Sequence, residues 1–286
     1  MISEEIEFAA PKDLQTALDL VGAHEDVTIL SGGMSLLPMM NVGLATPEMV
    51  VSLNHVRDID YVRETDAALH IGALTRHATV ADDPMIRTHC PILAEAAGHI
   101  GDVQVRNRGT LGGSVAHADP SADYLPVLAL VGAEVTLSRA GGERTVSIAE
   151  FLVDMLVTAR EPDEVVTQVT VPKLPPGTVG GYERFARVEG SFPIINVASR
   201  LESDGGPGAV AISGGVGPRP IVLDVSPLIS DGLGAEAMQR VGDAAFEATE
   251  GAISDTSADS GYRREMARVF SRRALEAAAA RLRGEA

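Results

Sequence analysis

Two pairs of adjacent glycines constrain this chain more than any other feature of its sequence. Gly32–Gly33 follows the apolar, strand-like residues 27–30, and Gly112–Gly113 follows residues 107–110 at a predicted helix start. Glycine has no Cβ and tolerates positive φ, so consecutive backbone N–H groups can converge on one ligand atom. This arrangement predicts two backbone cradles that could hold the two halves of a pyrophosphate. A Gly-Gly pair is also typical of a plain surface turn, which stays an alternative here.

Motif spacing and charge exclude several classes of protein. Neither glycine pair belongs to G-x-G-x-x-G or to G-x-x-x-x-G-K-[ST], which argues against a Rossmann dinucleotide site and a P-loop NTPase. The formal charge is -17, from 23 basic and 40 acidic residues, and would repel nucleic acid and anionic membrane surfaces. Trp is absent and aromatic residues make up 3% of the chain, so base-stacking platforms are not expected. No nucleic-acid partner is therefore predicted.

A single cysteine, Cys90, excludes several kinds of metal and disulfide chemistry. The chain can form no intrachain disulfide, and it cannot supply the ligands of an iron–sulfur cluster or a thiolate zinc site. Any such cluster would belong to a partner chain. Cys90 precedes Pro91 in an apolar stretch, which is typical of a buried, inert thiol. The seven histidines show no H-E-x-x-H or similar spacing, so no metal site is expected.

The sequence carries no recognisable targeting or membrane-spanning segment. Residues 1–7 are acidic where a signal peptide would be basic, and no apolar run reaches the roughly 18 residues of a spanning helix. We therefore expect no integral membrane segment and a cytoplasmic location.

The 286 residues correspond to about two domains, with a mixture of strands and helices. Strands are predicted at 27–30, 49–53, 67–74, 133–138, 144–147, 165–171, 180–186, 194–202 and 209–216. Helices are predicted near 14–21, at 85–100 with a break at Pro91, after the second glycine pair, at 124–131, and twice after 216. Around the first glycine pair the predicted order is strand, glycine turn, strand. The segment 172–177 has three prolines and is the predicted domain boundary.

Four segments of the chain resemble motifs of one family, in the same order. Residues 31–40, Ser-Gly-Gly-Met-Ser-Leu-Leu-Pro-Met-Met, are similar to the first FAD signature of the medium subunit of molybdenum hydroxylases, the carbon monoxide dehydrogenase and xanthine dehydrogenase type. Residues 105–120 resemble the second signature and contain Asn-Arg-Gly-Thr-Leu-Gly-Gly-Ser. Residues 180–185 and 262–269 are similar to parts of the family's C-terminal domain. The resemblance spans nearly the whole chain.

The resemblance implies an α+β fold in two domains. Residues 1–177 would form an FAD-binding domain of the vanillyl-alcohol oxidase (PCMH) type with two subdomains. Residues 178–286 would form the C-terminal domain of the carbon monoxide dehydrogenase flavoprotein, with a three-stranded sheet and helices. FAD would be the cofactor of this chain. A large molybdopterin-binding subunit and a small iron–sulfur subunit with two [2Fe–2S] clusters would be its partners, in a dimer of heterotrimers.

The resemblance also implies roles for individual residues. Two backbone segments would cradle the FAD pyrophosphate: Ile29, Leu30, Ser31, Gly32, Gly33, Met34, Ser35 and Leu36, and Thr110, Leu111, Gly112, Gly113 and Ser114. Asp123 would accept hydrogen bonds from ribose or ribityl hydroxyls, Ile100 would lie against the isoalloxazine, and Val165 would offer backbone contacts near the adenine. Arg184, where many relatives have lysine, and Phe192 would lie near the flavin ring. His117 would contact phosphate or flavin, or else serve as a capping or packing residue.

These motifs predict an electron-transfer flavoprotein subunit. Partner iron–sulfur clusters would pass electrons to FAD, which would reduce an external acceptor. A stand-alone FAD-dependent oxidase and a scaffold subunit without cofactor are the alternatives. No Ser-His-Asp triad or pair of carboxylates points to a catalytic residue in this chain. The arginines of the last helix, such as Arg263 and Arg264, could meet an acidic partner, the protein's own acidic body or solvent.

Overall fold

The computed structural model describes residues 5–203 and 206–285, and its first layer is a small parallel sheet. The strands β1 (Glu7–Ala9), β2 (Val27–Leu30) and β3 (Met49–Ser52) pair in the order β1-β3-β2. Helix α1 (Leu14–Ala23) begins after Asp13, whose carboxylate accepts a hydrogen bond from the N–H of Thr16. Helix α2 (Leu36–Asn41) connects β2 with β3. The predicted strand, turn, strand order misses α2, because six residues are too few to show helical periodicity.

An antiparallel sheet forms the second layer. Residues 62–172 contribute the strands β4 (Val62–Glu64), β5 (Ala68–Gly72), β6 (Glu134–Arg139), β7 (Gly142–Ser147), β8 (Leu152–Asp154), β9 (Val157–Thr158) and β10 (Val165–Pro172). The sheet order is β4-β5-β10-β6-β7, and β8 pairs with β9 in a separate ribbon. Strand β10 lies at the centre of the sheet and is buried along most of its length, in keeping with its run of valines.

Short helices cover the second sheet and connect it to the first. They are α3 (His77–Asp82), α4 (Pro84–His89), α5 (Pro91–Gly98), α6 (Val103–Arg108), α7 (Leu111–His117), α8 (Tyr124–Val131) and α9 (Ile148–Phe151). Prolines open α4 and α5, since the first turn of a helix needs no N–H donor there. The predicted helix at 85–100 is therefore two helices. Nearly every residue of α8 is buried, so this helix carries no polar face.

The C-terminal part contains a sheet with one strand more than the three that the sequence predicts. Within the described residues, β11 (Val179–Phe185), β12 (Ile195–Leu201), β13 (Gly208–Ser213) and β14 (Ile221–Asp224) pair antiparallel in chain order. The three-strand prediction is wrong because β14 is a short edge strand directly after Pro220, and half-exposed edge strands give a weak apolar signal. Strand β13 ends at Ser213, since Gly214 and Gly215 adopt positive φ. A 3-10 turn (Ser226–Leu228) and the predicted helices α10 (Ala235–Ala248) and α11 (Ser260–Leu282) follow.

The C-terminal sheet is buried on both faces, with residues of different size on each. Successive side chains of a strand point to opposite faces. In β13, Ala209 and Ala211 belong to the core that surrounds α8, whereas Val210 and Ile212 belong to the core beneath α10 and α11. The small face lets α8 approach the sheet closely. This contact fixes the start of α8, and with it the preceding loop at 119–123, against the C-terminal sheet.

The arginines of α11 mostly bind groups of this same chain. Arg263 is 2% exposed; its guanidinium donates to the carbonyl oxygens of Ile194 (2.8 Å) and Gly214 (2.6 Å) and pairs with Asp255 at 2.6 Å. Arg281, at the far end, pairs with Glu95 of α5 at 2.9 Å. In the part of the chain that the structure describes, neither α11 nor any other helix is long and apolar enough to cross a membrane.

Candidate functional site

The functional candidate is a cavity of about 490 Å³ between the parallel sheet, helix α7 and the C-terminal part. The loop after β2 and the loop that leads into α7 form one side of the cavity, and the loop at 190–192 forms another. The cavity gathers most of the residues that the sequence predicts for cofactor binding: Ile29, Ser31, Gly32, Gly33, Met34, Ser35, Leu36, Ile100, Thr110, Gly112, Gly113, Ser114, His117, Asp123, Val165 and Phe192. Leu30, Leu111 and Arg184 do not line it.

The two glycine motifs, far apart in sequence, lie against each other. A Cβ on Gly32 would overlap the carbonyl oxygen of Arg108 and lie 2.7 Å from Cα of Gly109, so only glycine permits this approach. A Cβ on Gly113 would lie 3.5 Å from Cβ of Ser31. Gly33 has a φ of +77°, which turns the chain from β2 into α2. The close approach supports the prediction that both motifs face one ligand.

The first motif offers free hydrogen-bond donors to the cavity. Among the described residues, no oxygen accepts from the backbone N–H groups of Gly32, Gly33, Met34 and Ser35. The hydroxyl groups of Ser35 and Ser114, on opposite motifs, are likewise without a protein partner in the described ranges. Four consecutive unpaired amides beside two hydroxyls make a site for an anionic oxygen. We name the segment 32–35 the amide cradle; its donors fit a phosphate group.

The second motif differs from the predicted backbone cradle, because its N–H groups already have protein acceptors. The N–H of Leu111 donates to Thr75, that of Gly112 to Ala73, and those of Gly113 and Ser114 to Thr110. A Cβ on Gly112 would overlap Ala73, so this glycine serves the packing of α7 against the end of β5. The second motif therefore faces the cavity through its surface and side chains, not through free backbone donors.

Asp123 is buried in the cavity wall and joins the two parts of the molecule. It is 5% exposed, which excludes the solvated surface acid that its position at a helix start could also indicate. Its Oδ1 accepts from the hydroxyl of Tyr182 (2.6 Å) and lies 2.9 Å from Nε of Arg184, both on β11. Burial raises the pKa of Asp123, while Arg184 and Tyr182 oppose that rise.

Arg184 binds groups of this network and does not line the cavity. Its second guanidinium branch donates to the carbonyl oxygen of Ser191 at 2.6 Å. Ser191 and the exposed Phe192 belong to the loop that borders the cavity. Arg184 thus connects the buried carboxylate of Asp123 with the loop that carries Phe192.

The cavity residues that the sequence does not predict include His77 and Arg160. His77 opens α3 and is 4% exposed, with Nδ1 lying 2.9 Å from the hydroxyl of Tyr124. Arg160 is half-buried, and within the described ranges it is the one arginine or lysine that lines the cavity. Its guanidinium donates to the carbonyl oxygens of Glu161 (2.9 Å) and Glu164 (2.8 Å). Neither residue lies in a recognisable motif, and the only signal in the sequence is that Arg160 precedes the predicted Val165 by five residues.

No metal centre accompanies the cavity in the described part of the chain, where no three His, Cys, Asp or Glu side chains are grouped to share an ion. The chemistry of the cavity wall is that of a binding site for a partly anionic, partly apolar molecule.

Residues 4–174 match the family described as the FAD binding domain in molybdopterin dehydrogenase. The chain therefore belongs to this family of oxidoreductase domains, and the predicted family, PCMH-type fold class and FAD cofactor are confirmed.

Two relatives match nearly the whole length of the chain. The nicotine 6-hydroxylase medium subunit of Paenarthrobacter nicotinovorans is 34% identical over 96% of this chain and 98% of its own. The carbon monoxide dehydrogenase medium chain of Hydrogenophaga pseudoflava is 34% identical over 98% of this chain and 99% of its own. The solved structure of carbon monoxide dehydrogenase from the same organism superposes with a TM-score of 0.91, covering 98% of this chain and 99% of that one.

Proposed function

We propose that this chain is the FAD-binding electron-transfer subunit of a heteromeric molybdenum hydroxylase. The amide cradle carries the proposal: in a domain of an FAD-binding family, four free N–H groups face a cavity gathered from both FAD signatures. FAD would supply redox chemistry that can take up electrons singly and release them in pairs. The protein would supply binding, orientation and exclusion of water.

Each wall of the cavity suits a different part of FAD. The amide cradle and the hydroxyl of Ser114 would hold the pyrophosphate, because both provide donors without adding charge. The carboxylate of Asp123 would accept from ribityl or ribose hydroxyls. Ile100 and Phe192 offer apolar surface for the isoalloxazine, and the backbone near Val165 would meet the adenine. Arg184 would act through Asp123 and the loop at 190–192.

The partner chains belong to the proposal as well. Relatives of this chain are named as medium chains or subunits of hydroxylase and dehydrogenase complexes. A single cysteine cannot ligate an iron–sulfur cluster. We propose a small subunit with two [2Fe–2S] clusters and a large molybdopterin-binding subunit, in a dimer of heterotrimers, with domains in this chain at 1–177 and 178–286. The cytoplasmic location expected from the sequence stays a prediction.

Flavin content tests the amide cradle directly. Gly33→Ala places a side chain at a φ of +77° and within 2.9 Å of Leu37, which should distort the cradle and lower the ratio of FAD to protein by about tenfold. The ratio is measured from visible absorbance and from FAD released on denaturation. Gly43→Ala is the matched control, since its φ is +75° but no atom lies within 4 Å of the added Cβ. It should retain FAD.

Flavin-free wild-type chain, both alone and in its complex, would contradict the proposal and favour a scaffold without cofactor. Turnover of a small organic substrate by the isolated, flavin-loaded chain would favour a stand-alone oxidase instead. The electron-transfer subunit should hold FAD in either preparation and should reduce an artificial acceptor with substrate only when its partners are present.

A further inference from the structure

His77 presents a hydrogen-bonding atom to the cavity that no protein group uses. The N–H of its backbone donates to the carbonyl oxygen of Gly109 at 3.1 Å, which fixes the start of α3 against the second motif. Its ring turns Nδ1 to the hydroxyl of Tyr124, 2.9 Å away. Nε2, on the other edge of the ring, has no partner among the described residues and is not sealed from the cavity.

Tyr124 determines which ring nitrogen carries the proton. The side chain of Tyr124 is fully buried, and its hydroxyl has Nδ1 of His77 as its partner in the described part of the chain. An O–H group that is buried without an acceptor is destabilising, so the hydroxyl donates and Nδ1 accepts. The proton of the neutral imidazole then resides on Nε2. Burial, together with Arg76 and Arg106, lowers the pKa of His77 to about 4, which keeps the ring neutral.

Nε2 lies beside the amide cradle. A Cβ on Gly109 would overlap Nε2, so the ring edge lies directly against this glycine. Gly109 in turn packs against Gly32, the first residue of the cradle. The free N–H of His77 and the free N–H groups of the cradle therefore border the same region of the cavity. Glycine at position 109 leaves the ring edge uncovered.

We propose that Nε2–H of His77 donates a hydrogen bond to a phosphate oxygen of the bound dinucleotide, next to the amide cradle. The inference rests on the proposed function and deepens it, because it adds a side-chain donor to a site otherwise built from backbone. A neutral donor supports the diphosphate without placing another charge beside Arg76 and Arg106. The shared chemistry is an adenosine diphosphate group, present in both FAD and ADP.

Two substitutions test the roles of the two ring nitrogens of His77 separately. The oxygen of the His77→Asn side chain sits where Nδ1 does and can accept from Tyr124, but the variant has no donor at the position of Nε2. The amide nitrogen of the His77→Gln side chain reaches the position of Nε2 but leaves Tyr124 without its acceptor. If His77 serves only packing, His77→Gln should destabilise the fold more than His77→Asn does. If Nε2 binds phosphate, His77→Asn should weaken ligand binding more than His77→Gln does.

Calorimetric titration of ADP into the full chain freed of flavin tests the proposal. His77→Asn should bind ADP and FAD about tenfold more weakly than wild type, since a hydrogen bond to a charged group is lost. His77→Gln should stay within about threefold of wild type. Riboflavin, which has no phosphate, should bind all three proteins equally.

Three outcomes would overturn the inference. Wild-type affinity of His77→Asn for ADP would show that Nε2 makes no contact with the diphosphate. Weaker binding of riboflavin by His77→Asn, with unchanged affinity for ADP, would indicate that Nε2 donates to the flavin ring and not to a phosphate. A wild-type chain that binds ADP and FAD not at all would remove the proposed function itself, a result distinct from the other two. Melting temperatures of the variants serve to exclude misfolding as the cause of weak binding.

Discussion

Single residues of the cavity wall owe their properties to distant parts of the chain. His77 contacts Tyr124 and Gly109, which are 47 and 32 residues further along the sequence. The local sequence Thr-Arg-His gives no sign of these contacts. Burial and two arginines keep its imidazole neutral, so the folded chain resists the proton that an exposed histidine would take up.

Stability should therefore depend on pH through His77. Its pKa is about 4 in the folded chain and about 6.5 when unfolded, so only the unfolded chain binds the proton between these values. The contribution of neutral His77 to the unfolding free energy is fully present above about pH 6.5 and is lost as the pH falls toward 4. Relative to His77→Asn, wild type should lose about 2 kcal/mol of unfolding free energy between neutral pH and about pH 5. Urea unfolding of both proteins at the two pH values measures this difference. Equal losses in both proteins would assign the effect to carboxylates instead.

Elements with clear periodicity or proline signals could be predicted from the sequence, and the short ones could not. The strands at 27–30 and 165–171 and the break at Pro91 follow from local residue patterns. Helix α2 and strand β14 are too short to show a period, and β14 forms through its pairing with β13. The glycine pairs were recognisable, but their different tasks were not: Gly33 turns the chain at a positive φ, whereas Gly112 packs against Ala73 after β5.

Gly112→Ala should weaken the attachment of α7 to the second sheet. The added methyl group would overlap Ala73, which belongs to a rigid backbone segment after β5. Overpacking of this kind costs about 1–3 kcal/mol of unfolding free energy. Chemical denaturation of the variant measures the loss. Gly22→Ala in α1 is the control: no atom lies within 4 Å of its added Cβ, so it should be neutral or stabilising by up to about 1 kcal/mol. A loss for Gly112→Ala no larger than that for Gly22→Ala would contradict a packing role of Gly112.

For the molecule as a whole, the pair formed by Asp123 and Arg184 connects the FAD-binding part with the C-terminal sheet. Both side chains are nearly buried, at 6% and 11% exposure. The sequence resemblance directs attention to each residue separately and assigns both to the cofactor. Their contact with each other could not be predicted, because it depends on how β11 docks on the start of α8.

Arg184→Gln should destabilise the whole molecule, because Asp123 would stay buried without its counter-charge. The expected loss is about 3 kcal/mol of unfolding free energy. The double variant Asp123→Asn with Arg184→Gln should recover part of that loss, since no isolated charge is left. A double-mutant cycle by urea unfolding measures the coupling. Additive effects of the two single changes would show that the pair contributes nothing beyond the separate side chains.

The contacts of helix α11 imply an order in which the chain folds and binds flavin. Arg263 holds the carbonyl oxygens of Ile194 and Gly214, and the N–H of Gly214 donates to Pro120 in the loop before α8. The segments that border the cavity are thus held by a helix that is synthesised after all of them. We expect nascent chains in which α11 has not yet left the ribosome to lack a complete cavity, and flavin to bind only after α11 has folded.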